Sequence, residues 1–327
     1  MKNSMKDKIK MTFPRLTRWV QNNKKMRDYQ YRKNSTIQQK RKILEDTYME
    51  RIGVPLDLEN PTRYTAKIQW TKLYGITDEM SYLSDKYRVR EWVKKTIGED
   101  YLLPLITSVK SFDEIDFNSL PSKFVIKSNN SSGWNIIVKD KSKLDLKNVK
   151  RKMDFWQKTN YAYYSVLEMQ YANIPPVFLI EEYTTDHNDE LNDYKFLCFD
   201  GVPYFCWVDT GRFSHHTRTV YDMDWQRQLW SQVYDPKEVY IEKPQNFEKM
   251  RELATILCKG FRHVRVDLYN VDGKIYFGEM TFTNGNGFDR IVPDQYDEIL
   301  GSYFKLDIQE EKKWLRSLHG VSFQQSF

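Results

Sequence analysis

The sequence predicts an α+β protein of two or three packed units sharing a cleft, on three observations. Its 327 residues exceed what a single core usually organises. Helical spacing of apolar residues governs 35–97, 146–171 and 246–260, whereas the remaining stretches read as short strands paired across tight turns. A hydrophobic share of 40% with 15% aromatics supplies a core. The mean hydropathy of −0.72 therefore reflects a charged surface rather than disorder.

Charge is unevenly placed. Residues 1–42 hold 14 Lys and Arg against Asp7 and Asp28, a net +12, while the rest of the chain nets −6. Met11, Phe13, Leu16, Trp19 and Val20 lie in this basic arm, which suits an anionic membrane face or another polyanion; a solvated helical extension is the plainer alternative. No apolar run approaches the roughly 20 residues of a membrane span, and the start lacks the apolar stretch of a signal peptide. Cys198, Cys206 and Cys258 have no metal spacing and suit a reducing compartment. A cytoplasmic protein is expected, with peripheral contact at the inner membrane face through residues 1–42.

From Ser35 to Tyr74, helices are interrupted at Gly53-Val54-Pro55 and Asn60-Pro61. Ser84 is placed to cap a helix carrying Val89, Trp92, Val93 and Ile97, which puts Lys86 in its first turn. The helix dipole opposes a cation there unless the lysine reaches an anion drawn to the same end. Residues 123–127 and 135–138 read as strands around Ser128-Asn129-Asn130-Ser131-Ser132-Gly133-Trp134. Such a loop can turn N–H groups and hydroxyls toward phosphate oxygens, with Lys127 supplying a point charge, although most loops of this kind are plain turns. Helical spacing resumes from Leu146 to Tyr171, and the tyrosines 161, 163 and 164 suit either a sugar surface or a half-buried helix face.

Val177–Tyr183 is an apolar strand tipped by Glu181 and Glu182. Asp193–Phe199 and Val202–Val208 flank an Asp-Gly hairpin turn. His215 and His216 follow Arg212-Phe213-Ser214 without metal spacing and suggest a loop facing an acceptor; His263 reads as structural. A helix over 246–260 leads into Arg265–Thr281, two strands around Val271-Asp272-Gly273. There Asp267 and Glu279 stand opposite each other among apolar, β-prone neighbours. Carboxylates so placed are costly without a compensating charge such as a hydrated divalent cation, so the pair is a metal-site candidate. A surface hairpin with two solvated acids is the alternative.

Taken in order, Ser84-Asp85-Lys86-Tyr87, Phe124-Val125-Ile126-Lys127, Asp193-Tyr194-Lys195-Phe196 and Gly278-Glu279-Met280-Thr281-Phe282 resemble the TupA-like (teichuronopeptide biosynthesis) branch of the ATP-grasp superfamily, over residues 62–306. The resemblance implies an ATP-grasp fold, two α+β subdomains that clamp ATP, with Mg2+, and activate a carboxylate as an acyl phosphate for attack by an amine. The implied division is a basic helical extension over 1–61, a helical lead-in over 62–120 and a small subdomain over 121–185 carrying the phosphate-covering hairpin. A catalytic subdomain over 186–306 and a tail over 307–327 complete it.

Carried over by position, Lys86 and Lys127 match phosphate-binding lysines, and Ser131, Ser132 and Gly133 belong to the covering loop. Glu181, Glu182 and Tyr183 match the segment that reads the adenine edge. Asp193 matches an acid that accepts from the ribose. Asp267 and Glu279 match magnesium carboxylates, Arg265 the arginine that steadies the oxyanion, and Lys195 a contact to the γ-phosphate. Thr281 departs from the pattern, which has Asn as third metal ligand; Asn284 or Asn286 could substitute.

The expected activity is ATP- and Mg-dependent carboxylate–amine ligation in cell-surface polysaccharide biosynthesis (capsule, O-antigen or teichuronopeptide-like). Its partners would be a carboxylate-bearing saccharide or lipid-linked precursor and an amine, with no nucleic acid. The alternatives are a glycosyltransferase or sugar kinase of the same pathway, or a non-enzymatic membrane-surface or polyanion binder, which leaves the acid hairpin unexplained.

Overall fold

The computed structural model describes residues 14–186, 191–211, 216–236, 238, 240–306 and 308, the first seven by their backbone alone. Two antiparallel sheets face each other across a cleft. Leu105–Val109 (β1), Phe124–Ser128 (β2), Asn135–Val138 (β3) and Phe178–Glu182 (β4) form the first, in the order β1-β4-β2-β3. Asp193–Phe199 (β5), Val202–Thr210 (β6), Thr217–Asp222 (β7), His263–Val271 (β9) and Lys274–Thr281 (β10) form the second, ordered β10-β9-β5-β6-β7. Ser231–Gln232 (β8) and Ile291–Val292 (β11) make a small separate pair.

Helices cover the far faces, and the strand period of two decides what faces what. In the first sheet Phe124 and Ile126 pack under Leu146–Lys158 (α6) through Val149, Met153 and Trp156. Lys127, the next residue along the strand, is thereby turned to the cleft. In β5 the even positions Tyr194, Phe196 and Cys198 pack under Phe247–Cys258 (α8). The odd positions divide along the strand. Leu197 and Phe199 are buried against Tyr64–Trp70 (α3) and Gln295–Tyr303 (α9), while Asp193 and Lys195 open into the cleft.

The N-terminal helices Pro14–Asn34 (α1) and Ile37–Arg51 (α2) lie on the body, with the Lys25 ammonium 4.1 Å from the Tyr164 ring and Tyr29 buried. Arg32 donates to the carbonyls of Tyr163, Tyr164 and Ser165 at 3.2, 3.3 and 3.1 Å, and Leu44 and Tyr48 pack with Trp70. The helices of 62–120 share their neighbours' cores. Thr65 at the start of α3 donates to Asp297 of α9 twice, at 2.9 and 2.6 Å. Leu83, on Asp78–Ser84 (α4), and Val89 and Val93, on Val89–Thr96 (α5), join the core beneath α8.

Two local expectations are corrected. Ser84 is the last residue of α4 and does not cap α5; Asp85 Oδ1 accepts from the N–H groups of Tyr87 and Arg88, so Lys86 precedes the helix. The carboxylate thus closes the turn ahead of the helix, which itself starts without a side-chain cap. The helical stretch expected from Leu146 to Tyr171 breaks after Lys158, where the Asn160 side chain accepts from Ala162 N and starts the short helix Tyr161–Tyr164 (α7). His215, the arm up to Phe13 and the tail apart from Ile308 lie outside the described residues.

Candidate active site

The hairpin β9–β10 is closed by Asp272 and Gly273, both with positive φ (49° and 86°), the conformation of a two-residue turn that matches strand twist. A regular ladder from that turn would put Gly278 opposite Asp267 and Glu279 on the other face. The register slips by one between Phe277 and Glu279, so that Glu279 pairs with Asp267 and Thr281 with Arg265. The bulge therefore delivers the second carboxylate to the cleft. Gly278 is needed there, since a Cβ on it would meet the Asp267 carbonyl oxygen at 3.0 Å and Asp267 Cβ at 3.3 Å.

Cross-strand pairing extends the array. Asp267 is opposite Lys195, and Asp193 is opposite Asp209. Lys195 Nζ donates to Asp193 Oδ2 at 2.6 Å and Asp267 Oδ2 at 2.8 Å. Arg265 grips Asp267 through Nε and Nη2 (2.6 and 2.7 Å) and reaches Glu279 Oε1 at 3.0 Å and Thr281 Oγ1 at 3.1 Å. Burial pushes Asp267 up, against the opposing pull of Arg265 and Lys195. Burial acts the same way on Glu279, but Lys86, Arg265 and Lys195 outweigh it and hold that carboxyl at about 2.

The first sheet contributes from across the cleft. Lys127 pairs with Glu181, which also meets Arg90 at 3.3 Å. Lys86 donates to the Ser131 carbonyl and lies 3.5 Å from Glu279, linking the Ser128–Trp134 loop to the acid hairpin. Asn129 anchors that loop, donating to Asp85 Oδ1 at 2.9 Å and accepting from Val177 N at 2.8 Å. Ser131 Oγ is buried without a hydrogen-bond partner, a cost that a ligand oxygen would relieve.

One cleft of about 300 Å3 thus brings together Lys86, Lys127, Ser131, Ser132, Gly133, Glu181, Asp193, Lys195, Arg265, Asp267 and Glu279. Thr281 stands just outside it, donating to Glu279 Oε1 at 2.9 Å. The structure does not bring the Glu182 and Tyr183 side chains in. Glu182 is exposed, and the Tyr183 ring lies 5.7 Å from the ammonium groups of both Lys123 and Lys139. Asn284 and Asn286 do not line it either. Asn284 accepts from Arg265 and donates to Gln232, while Asn286 is held by Lys72.

The reading of the sequence missed Arg90, Asp209, Arg218 and Tyr234, all on the cleft wall. The signal was present in part: Asp209 tips an apolar strand as Glu181 does, and Thr217–Tyr221 alternates β-branched residues around Arg218. Among the described residues the cleft collects six lysine and arginine side chains against five carboxylates, a balance suited to a polyanion that brings its own cations.

No group of three or more His, Cys, Asp or Glu capable of holding a metal occurs among the described residues. Asp267 and Glu279 are the two carboxylates that the β9–β10 hairpin presents to the cleft.

Comparison with known proteins places this architecture. No curated protein matches the chain. Among solved structures, the D-alanine–D-alanine ligase from Bacillus anthracis complexed with ATP is 15% identical with a TM-score of 0.41, covering 72% of this chain and 68% of that one. The L-amino acid ligase from Bacillus licheniformis is 12% identical with a TM-score of 0.45, covering 75% and 57%. Both are distant likenesses. The family model TupA-like ATPgrasp, in contrast, matches residues 66–305, nearly three quarters of the sequence. With two antiparallel sheets facing a cleft lined by lysines and paired acids, the chain belongs to the TupA-like ATP-grasp family and has the ATP-grasp fold.

Proposed function

We propose that the protein is an ATP- and magnesium-dependent carboxylate–amine ligase working through an acyl phosphate. The observation that carries this reading is the bulge-set pair Asp267 and Glu279, flanked by Arg265 and Lys195 and facing the lysines and unsatisfied serine of the loop. Asp267 and Glu279 would hold Mg2+, which when bound offsets the negative charge developing in phosphoryl transfer. Lys86, Lys127 and the loop residues Ser131, Ser132 and Gly133 would hold the phosphate oxygens, with Lys195 reaching the γ-phosphate. Arg265 would steady the tetrahedral oxyanion. Asp193 would accept from the ribose. Because Glu181 is committed to Lys127 and Arg90, the backbone beyond it toward Tyr183 is left to meet the adenine edge.

The carboxylate would belong to a saccharide or its lipid-linked precursor in cell-envelope polysaccharide biosynthesis, a reading that rests on the resemblance to teichuronopeptide biosynthesis. The site would work in the cytoplasm, with the basic arm against the inner membrane face. No helix among the described residues is long and apolar enough to cross a membrane. Because Tyr29 and Arg32 are tied into the body, the arm is best tested by a deletion ending at residue 20. Salt-sensitive binding to phosphatidylglycerol vesicles should fall, and unchanged binding removes the arm's role.

Calorimetry with a non-hydrolysable ATP analogue tests the core of the proposal. Binding should require Mg2+ and be lost in Lys127→Ala; absence of binding by the folded native chain overturns the reading. Product mass then separates ligation, which loses water, from phosphorylation, which adds a phosphate.

A further inference from the structure

Beyond the lysines and the metal-site acids, the cleft runs on toward the β6–β7 edge of the second sheet. There Asp209 faces Arg218 in strand register. Arg218 holds Asp209 through Nε at 2.6 Å and Nη2 at 2.8 Å, and its guanidinium lies 4.8 Å from the Trp207 ring and 5.3 Å from that of Tyr234. His216, just before β7, points at the same carboxylate. Its Nε2 is 3.4 Å from Asp209 Oδ2, its ring lies 3.8 Å from the ring of Tyr234, and its side chain is 23% exposed. This cluster has no part in the nucleotide and metal assignments above.

An amine attacks an acyl phosphate only as the free base, yet an alkylamine in water is an ammonium ion. Each carboxylate of the cleft is already engaged by a cation. Glu181 meets Lys127 and Arg90, Asp193 and Asp267 meet Lys195, Glu279 meets Arg265, and Asp209 meets Arg218. His263, the other histidine among the described residues, is buried behind the sheet and does not line the cleft. An imidazole backed by a carboxylate is the arrangement that takes up a proton and stabilises the resulting charge.

We propose that His216 is the base that deprotonates the incoming amine, with Asp209, Arg218 and Tyr234 as positioning residues that fix its ring; the inference rests on the ligase reading. The imidazole takes one proton from the ammonium group. The nitrogen lone pair then forms the C–N bond at the acyl carbon, the C–O bond to phosphate breaks, and phosphate leaves with that electron pair. The second N–H proton departs on the phosphate as hydrogen phosphate, and His216 returns its proton to water. Asp209 on β6 and Tyr234 after β8 face the ring, and Arg218 on β7 holds Asp209 in place.

Hydroxylamine, largely unprotonated at neutral pH, provides the test because it needs no base. Wild type and His216→Asn are given MgATP and each of glucuronate, galacturonate and L-glutamate, with either hydroxylamine or an amine (L-alanine, L-lysine, glucosamine). Hydroxamate and amide are quantified by mass. The expected result is hydroxamate at the wild-type rate in the variant, with amide formation down by about 100-fold or more. Undiminished amide formation, or equal loss of both products, overturns the assignment. The hydroxylamine arm also reports that the variant is folded and makes acyl phosphate. A wild type that yields ADP and hydroxamate with none of the carboxylates counts against the ligase reading itself, and the base assignment falls with it.

Discussion

Two lysines, Lys195 in the cleft and Lys72 behind it, are both almost fully buried and take opposite electrostatic characters. Lys195 is 5% exposed and Lys72 1%. Burial alone would lower the pKa of either, but Asp193 and Asp267 outweigh it at Lys195 and raise its pKa. Lys72 donates to neutral acceptors, Gln69 Oε1 at 2.9 Å and Asn286 O at 3.1 Å, besides the side-chain oxygen of Asn286, lies against the Phe288 ring, and feels the attraction of Glu168 only as a partial offset to its burial. There burial prevails and pushes the amine well below its usual value. Glu168, in the same network and accepting from Thr283 Oγ1 at 3.0 Å, is pushed up by burial. The front network thus keeps separated charges that a ligand can engage, whereas the rear one, with its ionisable groups driven toward neutrality, braces the Thr283–Gly287 loop. Asn284 of that loop holds Arg265, so the quiet network supports the charged one.

The sharpest break in this contrast is Lys195→Met. It leaves Asp193 and Asp267 buried without their shared cation, and urea unfolding should show a loss of about 3–5 kcal/mol, the usual cost of breaking a buried pair from one side. ATP turnover should vanish with it. A loss below about 1 kcal/mol would place Lys195 with the exposed, screened pairs.

A second prediction extends the rear class to a group that titrates in an accessible range. His263 is buried, with Nδ1 3.0 Å from the Cys198 carbonyl oxygen and Nε2 3.1 Å from the Tyr64 hydroxyl; desolvation lowers its pKa to about 4. The unfolded chain takes up this proton near pH 6.5 and the folded chain only near 4. Stability is therefore fully present above about 6.5 and declines as pH falls toward 4, by about 3 kcal/mol in all. Glu279 and Asp209, each held at about 2, add their own loss only below their unfolded values of about 4.5 and 3.8. Urea unfolding between pH 7.5 and 5, compared between wild type and His263→Gln, separates the histidine from the carboxyls that burial pushes up. His263→Gln should flatten that slope; an unchanged slope would mean that the folded protein already accepts the proton.

Much of this was legible in the sequence and part was not, for identifiable reasons. Asp-Gly turns and alternating apolar runs marked the hairpins, and acids or lysines at strand ends marked the cleft, because both are local signals. The bulge at Gly278 was invisible: the two acids read as opposed, but a regular two-residue turn opposes Asp267 to Gly278, and only a slip decided by packing brings Glu279 round. Asp209 and Arg218 escaped notice because their role comes from pairing between strands. Lys72 sits in a helical stretch indistinguishable by pattern from a solvated lysine; what buries it is a loop more than two hundred residues away.

Lys72→Met tests that last point with a smaller effect. Methionine fills the space of the lysine stem, so the cost is confined to acceptors losing a donor, about 1–3 kcal/mol by urea unfolding. A loss as large as that of Lys195→Met would show that Lys72 is charged in the folded state and that the two networks are of one kind.

The smallest expected effect lies on the seam between the networks, at Thr281. Its hydroxyl donates to Glu279 and accepts from Arg265. Thr281→Val keeps the β-branched shape and removes those bonds, so stability should fall by about 1 kcal/mol. The informative readout is magnesium. If the hydroxyl only steadies Glu279 and Arg265, turnover drops at every Mg2+ concentration alike. A role in holding the ion instead raises the Mg2+ needed for half-maximal turnover, and Thr281→Asn, with the residue that the related pattern carries, should lower that requirement below wild type. An unchanged requirement in both variants would leave Asp267 and Glu279 as the whole of the protein's contribution to the ion, with the threonine belonging to the bracing side of the comparison.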